Sequence, residues 1–214
     1  MTHGVVVFLG PSCDRATARE ILDADYRPPA KRGDIARAAD AGARIVGLID
    51  GVFFQECAVA HREVLAALRH GVRVVGASSM GALRAAELDA FGMEGVGKIY
   101  EAYRDWEIVA DDEVALMFDP LTFEPVSEPL VNIRFTLKQA ADAGVLAPEQ
   151  ASALIEAARA IYFPERCWDA VFASAPEVVG EEVAERVCHY VQTSRVDQKR
   201  EDALAALRLI RAST

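Results

Sequence analysis

The chain has little of what disulfide frameworks and metal centres are made from. Its four cysteines (Cys13, Cys57, Cys167 and Cys188) show no Cys-x-x-Cys or metal-ligand spacing, which excludes a zinc ribbon or a thioredoxin-type motif. No apolar run approaches the roughly 18 residues that would span a bilayer. No basic stretch precedes the first apolar segment, so a secretory signal is not expected, and the expected location is cytosolic. In that reducing compartment the cysteines read as buried or incidental thiols. Basic residues are outnumbered, 23 Lys and Arg against 33 Asp and Glu, for a net charge of −10. That balance argues against nucleic acid or an anionic membrane as the main partner. Internal repeats and low-complexity tracts are missing too, and no metal or cofactor is expected.

What remains is a globular composition. The 214 residues are 52% hydrophobic and 26% charged, enough for a substantial core and far from disorder. Val5-Val6-Val7-Phe8-Leu9 and Arg44-Ile45-Val46-Gly47-Leu48-Ile49 are apolar runs of the kind buried on both faces of a parallel sheet. Val72 to Gly76 is a third. Helical stretches follow each strand: Asp14 to Leu22, Ala58 to Arg69 and Met80 to Phe91. Tyr26 to Gly33, with two prolines, reads as an extended connector, and Asp34 to Ala41 as a further helix. This alternation predicts an open α/β fold, a parallel sheet core flanked by helices, over residues 1–120. Residues 121–214 are expected to form a helical C-terminal part packed on the core, with helices near 130–143, 148–162, 164–174, 181–192 and 197–212.

In an open α/β sheet, ligands sit beyond the carboxyl ends of the strands. Three loops are delivered there: Gly10-Pro11-Ser12, Asp50-Gly51 and Gly76-Ala77-Ser78-Ser79. The last is the most informative. A strand, a glycine, two serines and an Ala/Leu-rich helix are how such sheets expose a nucleophile or grip an anion. Ser79 is the candidate nucleophile, with the Met80 and Gly51 N–H groups as oxyanion donors. The competing reading is that Ser78 or Ser79 is only a helix cap. His61, at the start of the helix beyond Asp50-Gly51, is the candidate base, required within about 3 Å of the hydroxyl. Ser12, Asp50, Ser78 and Arg84 are candidate binding residues around the same crevice. Arg84 and Glu87, three apart on one helix, are spaced to pair.

Two segments are set aside. Gly92 to Lys98 matches Gly-x4-Gly-Lys of a phosphate-binding loop, but Ile99 stands where a hydroxyl would hold magnesium, and ATP binding there is rejected. Asp111-Asp112-Glu113 reads as a solvated element start rather than a cation site, since adjacent carboxylates do not converge.

Taken together, Gly33-Asp34-Ile35, Ile49-Asp50-Gly51-Val52-Phe53-Phe54-Gln55, His61-Arg62-Glu63-Val64-Leu65, Gly76 to Leu88, Phe91 to Gly97 and Asp112-Glu113-Val114-Ala115 resemble the TfuA family. Arg195 to Ala203 is similar to the tails of its members. Ala77-Ser78-Ser79-Met80-Gly81 also looks like the nucleophile segment of ClpP-type serine proteases, with Ser79 at the serine. Those proteases take their histidine from after the serine, whereas His61 precedes it. The resemblance implies a partner protein for YcaO enzymes, which use ATP to turn peptide-backbone amides into thioamides. It implies that a thiocarboxylated carrier of the ThiS type is hydrolysed to supply sulfide. The alternative is a non-catalytic adaptor that binds YcaO and activates it allosterically. The helical tail is open to a role in YcaO docking, in self-association to a homo-oligomer, or in supporting the core.

Overall fold

The computed structural model describes residues 4–53 and 57–214; His3, Phe54 and Gln55 lie outside them. The chain divides into two compact units. One runs to Asp111 and takes up Lys199–Thr214, and the other comprises Asp112–Gln198.

The first unit is the expected α/β fold. Strands β1 (Val5–Phe8), β2 (Asp25–Arg27), β3 (Ile45–Leu48), β4 (Arg73–Ala77) and β5 (Glu94–Val96) form one parallel sheet in the order β2-β1-β3-β4-β5. The intervening helices are α1 (Arg15–Ile21), α2 (Asp34–Asp40), α3 (His61–Arg69) and α4 (Met80–Leu88), with α5 (Lys98–Arg104) after β5. Side chains alternate across the sheet, as strand geometry requires. Val6 and Phe8 join Val46, Leu48 and Val74 on the face packed by Ile35, Ala38, Val64, Ala67 and Ala85. Val5, Val7 and Leu9 join Val75 and Ala77 on the other face, against Ala18 and Leu22.

That second face corrects the expected division at residue 120. Helix α10 (Gln198–Arg211), the last of the chain, returns to the sheet. Its Ala203, Ala206, Leu207 and Ile210 share a core with β1 and β4. A sheet buried on both faces needs a layer on each. Among the described residues between β1 and β4, α1 is the helix that packs on this face, and α10 adds a second.

Strands β2 and β5 are additions to the three expected. Asp25–Arg27 opens what reads as a connector, and Glu94–Val96 lies inside the rejected phosphate-loop match. Both are three-residue edge strands with an exposed charged residue, which is how sheet edges avoid pairing with other chains. At the following helix start, Lys98 and Ile99 donate their N–H groups to the Asp202 carboxylate, at 3.1 and 2.8 Å. An acidic side chain of the protein itself thus occupies the anion position.

The second unit is helical: α6 (Leu130–Asp142), α7 (Pro148–Ala160), α8 (Trp168–Val179) and α9 (Glu181–Ser194) pack around Ile133, Leu137, Leu154, Val171 and Val187. Of the carboxylates expected to be solvated, Asp111 is exposed at the start of a short 3-10 turn, and the other two are engaged instead. Glu113 is buried and takes hydrogen bonds from Arg134 and Arg159, and Asp112 pairs with the buried Arg166. A hairpin is closed by Asp119 N–H to Glu124 O at 2.9 Å and Val126 N–H to Met117 O at 2.8 Å. It presents Leu121, 88% exposed, at its tip.

Candidate functional site: a serine–lysine pair at the β4–α4 elbow

Strand β4 turns into α4 so tightly that only glycine fits at two positions. A methyl group on Gly76 would overlap the Gly81 carbonyl, and one on Gly81 would overlap the Leu48 carbonyl oxygen. Between them the backbone reverses at Ser78, which has φ 67°, and the Ser79 N–H donates to Ala77 O at 2.8 Å. A side chain other than glycine in that left-handed region costs about 1–3 kcal/mol. Such strain marks a turn that the surrounding packing holds in place.

Ser79 occupies the cap position of α4, yet its side chain makes no capping hydrogen bond. Lys199 Nζ lies 3.2 Å from its Oγ. Both residues are 2% exposed. Lysine beside a serine hydroxyl is one of the known substitutes for the histidine of a catalytic triad. Lys199 lies on the buried face of α10, one turn before Ala203 and two before Ala206 and Leu207. Asp202, on the same face, anchors that helix to the start of α5. Gly97 lets the carboxylate approach, because a methyl there would overlap it.

The helix N-terminus contributes N–H groups. Gly81 donates to Ile49 O at 3.3 Å, and Ala82 and Leu83 donate to Ser79 O. No described residue accepts the Met80 N–H. Gly51 packs directly against Met80, where a side chain would collide with Met80 Cβ and Cγ. The Asp50 carbonyl accepts from Ala30 N–H at 2.9 Å. Across a trans peptide the Gly51 N–H therefore points away from Ala30, and no described residue accepts it.

Behind the elbow lies a buried polar chain. Asp50 Oδ2 accepts from the N–H groups of Gly10 and Ser12, at 2.9 and 3.1 Å. Its Oδ1 accepts from the Ser12 hydroxyl at 2.6 Å. Ser12 Oγ in turn accepts from the Ser78 hydroxyl at 2.8 Å. These three residues stand at the ends of β1, β3 and β4, on either side of the point where the strand order reverses.

The candidate base from the sequence makes a different contact. His61 begins α3, but its Nε2 hydrogen-bonds Glu87 Oε2 at 2.8 Å, with the ring half exposed. Arg84 reaches the same oxygen at 2.6 Å and donates to Val59 O. This ion-pair cluster ties α3 to α4. Ser79, Met80, Gly51, Asp50, Ser12 and Ser78 are thus gathered, buried, at the carboxyl ends of β1, β3 and β4, with Lys199 as the member that sequence reasoning missed. A signal for it was present: a lysine and an aspartate interrupt an otherwise apolar helical stripe, and buried charges are rare unless they are used or paired.

The fold and this cluster define a doubly wound α/β protein with a strained serine elbow, a buried lysine and two N–H groups that no described residue accepts. Residues 50–167 match the TfuA-like protein family, more than half of the chain. The chain belongs to that family. No curated protein matches it. The matched span holds Asp50, Gly51, Ser78, Ser79 and Met80, while Ser12 and Lys199 fall outside it. No described helix is long and apolar enough to cross a membrane.

Proposed function

We propose that the protein hydrolyses the thiocarboxylate of a ThiS-type carrier and releases sulfide for a YcaO enzyme that thioamidates peptide backbones. The 3.2 Å approach of Lys199 Nζ to Ser79 Oγ at a strained elbow carries this reading. Neutral Lys199 takes the hydroxyl proton while Ser79 Oγ attacks the thiocarboxylate carbon. The oxyanion forms within reach of the Met80 and Gly51 N–H groups, one such donor being worth about 3 kcal/mol. Protonated Lys199 returns that proton to the sulfur as collapse breaks the C–S bond, so hydrosulfide leaves, the lysine is neutral again and the acyl group stays on Ser79. Water, activated by the same lysine, then releases the carrier as a carboxylate. Hydrosulfide is a far better leaving group than an amine, so one base and an oxyanion site suffice.

The test is sulfide release from a purified carrier thiocarboxylate. Ser79→Ala and Lys199→Ala should abolish release while keeping the fold, and unchanged release from both would sink the reading.

A second reading, a non-catalytic adaptor that binds and activates YcaO, is supported by the helical unit. That unit carries fifteen acidic and six basic residues, nearly all of the net negative charge. Its hairpin also holds Leu121 in water on an ordered turn. An exposed apolar tip in an acidic field suits a basic, pocketed protein surface. On this reading Ser79→Ala supports full thioamidation when free sulfide is supplied, and Leu121→Asp does not.

A further inference from the structure

Helices α2, α3, α5 and α6 end on the same backbone motif. The first residue past the cap donates its N–H to the carbonyl three positions back, and the next residue donates to the carbonyl five positions back. The first of these residues is left-handed, a conformation that favours glycine. Gly42, Gly71 and Gly144 fill that place after α2, α3 and α6, at φ 88°, 79° and 74°. After α5 it is Trp106, at φ 60°. Its N–H donates to Tyr103 O at 3.2 Å, and Glu107 N–H donates to Ala102 O at 2.9 Å. Little burial offsets this strain. Trp106 is 81% exposed and Val109 67%, while Ile108 between them is buried and fixes the segment. Around the two apolar side chains stand exposed Glu101, Asp105, Glu107 and Asp111, against one exposed base, Arg104. Arg104 is committed to Asp105, through Nε at 2.8 Å and Nη2 at 2.9 Å. A tryptophan held in water on a rigid cap, within an acidic rim, has the anatomy of an interface anchor.

We propose that Trp106 and Val109 anchor a docking surface for a basic protein face with an apolar socket, and that its occupant is the YcaO enzyme. The inference rests on the partnership with YcaO that both readings above share. A second copy of this chain, with its own net charge of −10, would be repelled. The carrier has to bring its thiocarboxylate to Ser79, whereas the 7 residues of α5 take Trp106 about 10 Å from the carboxyl end of β5. The strained cap thus serves association and stands apart from the serine elbow.

The experiment measures the affinity of the purified full chain for its purified cognate YcaO enzyme by titration calorimetry. Trp106→Gly should weaken binding by about thirtyfold or more, the scale of an interface anchor, and Val109→Ser by less. Glycine suits the left-handed cap, so Trp106→Gly should melt no lower than the wild type. It should also keep sulfide release from the carrier within about twofold. Wild-type binding should weaken as salt rises past about 0.1 M, because the rim is charged. Unchanged affinity in Trp106→Gly, or a loss confined to Leu121→Asp, overturns the inference and leaves the YcaO partnership standing. So does a Trp106→Gly chain that melts lower, which would give the ring a structural role, or one that loses the carrier instead of YcaO. A wild type with no measurable affinity for YcaO overturns the partnership itself, and the inference with it.

Discussion

Lys199 Nζ reaches Ser79 Oγ at 3.2 Å across 120 positions of chain. The final helix thus supplies a base candidate to the elbow at the end of β4. Only an unprotonated amine can take a proton from serine. Lys199→Arg, charged at any working pH, should lose about a thousandfold or more of the activity. A Lys199→Arg enzyme that keeps the wild-type kcat/KM would assign the base elsewhere.

His61 provides the complementary test. Its Nε2 is held by Glu87 at 2.8 Å in an exposed cluster shared with Arg84. Exposed pairs of this kind contribute about 0–1 kcal/mol. His61→Gln should keep sulfide release within about twofold of wild type and shift stability by no more than that amount. A large loss of kcat with unchanged melting would return the base role to His61.

How much of this was legible beforehand differs from element to element. β1, β3 and β4 announce themselves because burial on both faces makes them continuous apolar runs. β2 and β5 do not, since Asp25-Tyr26-Arg27 and Glu94-Gly95-Val96 carry edge-strand polarity and gain their identity from the neighbour they pair with. The elbow was legible because strand, glycine, serines and helix are contiguous. Its capping alternative was decided only by where the Ser79 hydroxyl points. Lys199 depends on a helix that rejoins the first unit after the 87 intervening positions of the second (112–198), which no local pattern encodes. The charged pair Lys199 and Asp202 on an apolar stripe was the one trace it left.

That return is held by Asp202 and Gly97. Gly97 has φ +95°, and a methyl group on it would overlap the Asp202 carboxylate. Gly97→Ala therefore combines backbone strain with displacement of α10, and should cost about 2 kcal/mol or more. Because Lys199 rides one turn away from Asp202, activity should fall beyond what the lowered melting temperature explains when both are measured well below the transition. Unaltered melting and turnover would show that α10 does not depend on this contact.

Arg73 and Glu94 fasten the edge strand β5 to β4, with Arg73 Nη2 to Glu94 Oε2 at 2.7 Å. Hydrogen bonding from Arg73 holds the Glu94 carboxyl below its ordinary value of 4.5, with burial opposing. The folded state thus binds the proton less readily than the unfolded chain. The stabilisation is complete above the ordinary value and is lost as pH falls through the depressed folded one. Both side chains are partly exposed, so solvent and salt hold the pair to about 1 kcal/mol or less. Glu94→Gln should lower the urea midpoint slightly at neutral pH, and the difference from wild type should vanish once Glu94 is protonated in acid. A difference that persists in acid would mean that Glu94 supports β5 through packing rather than charge.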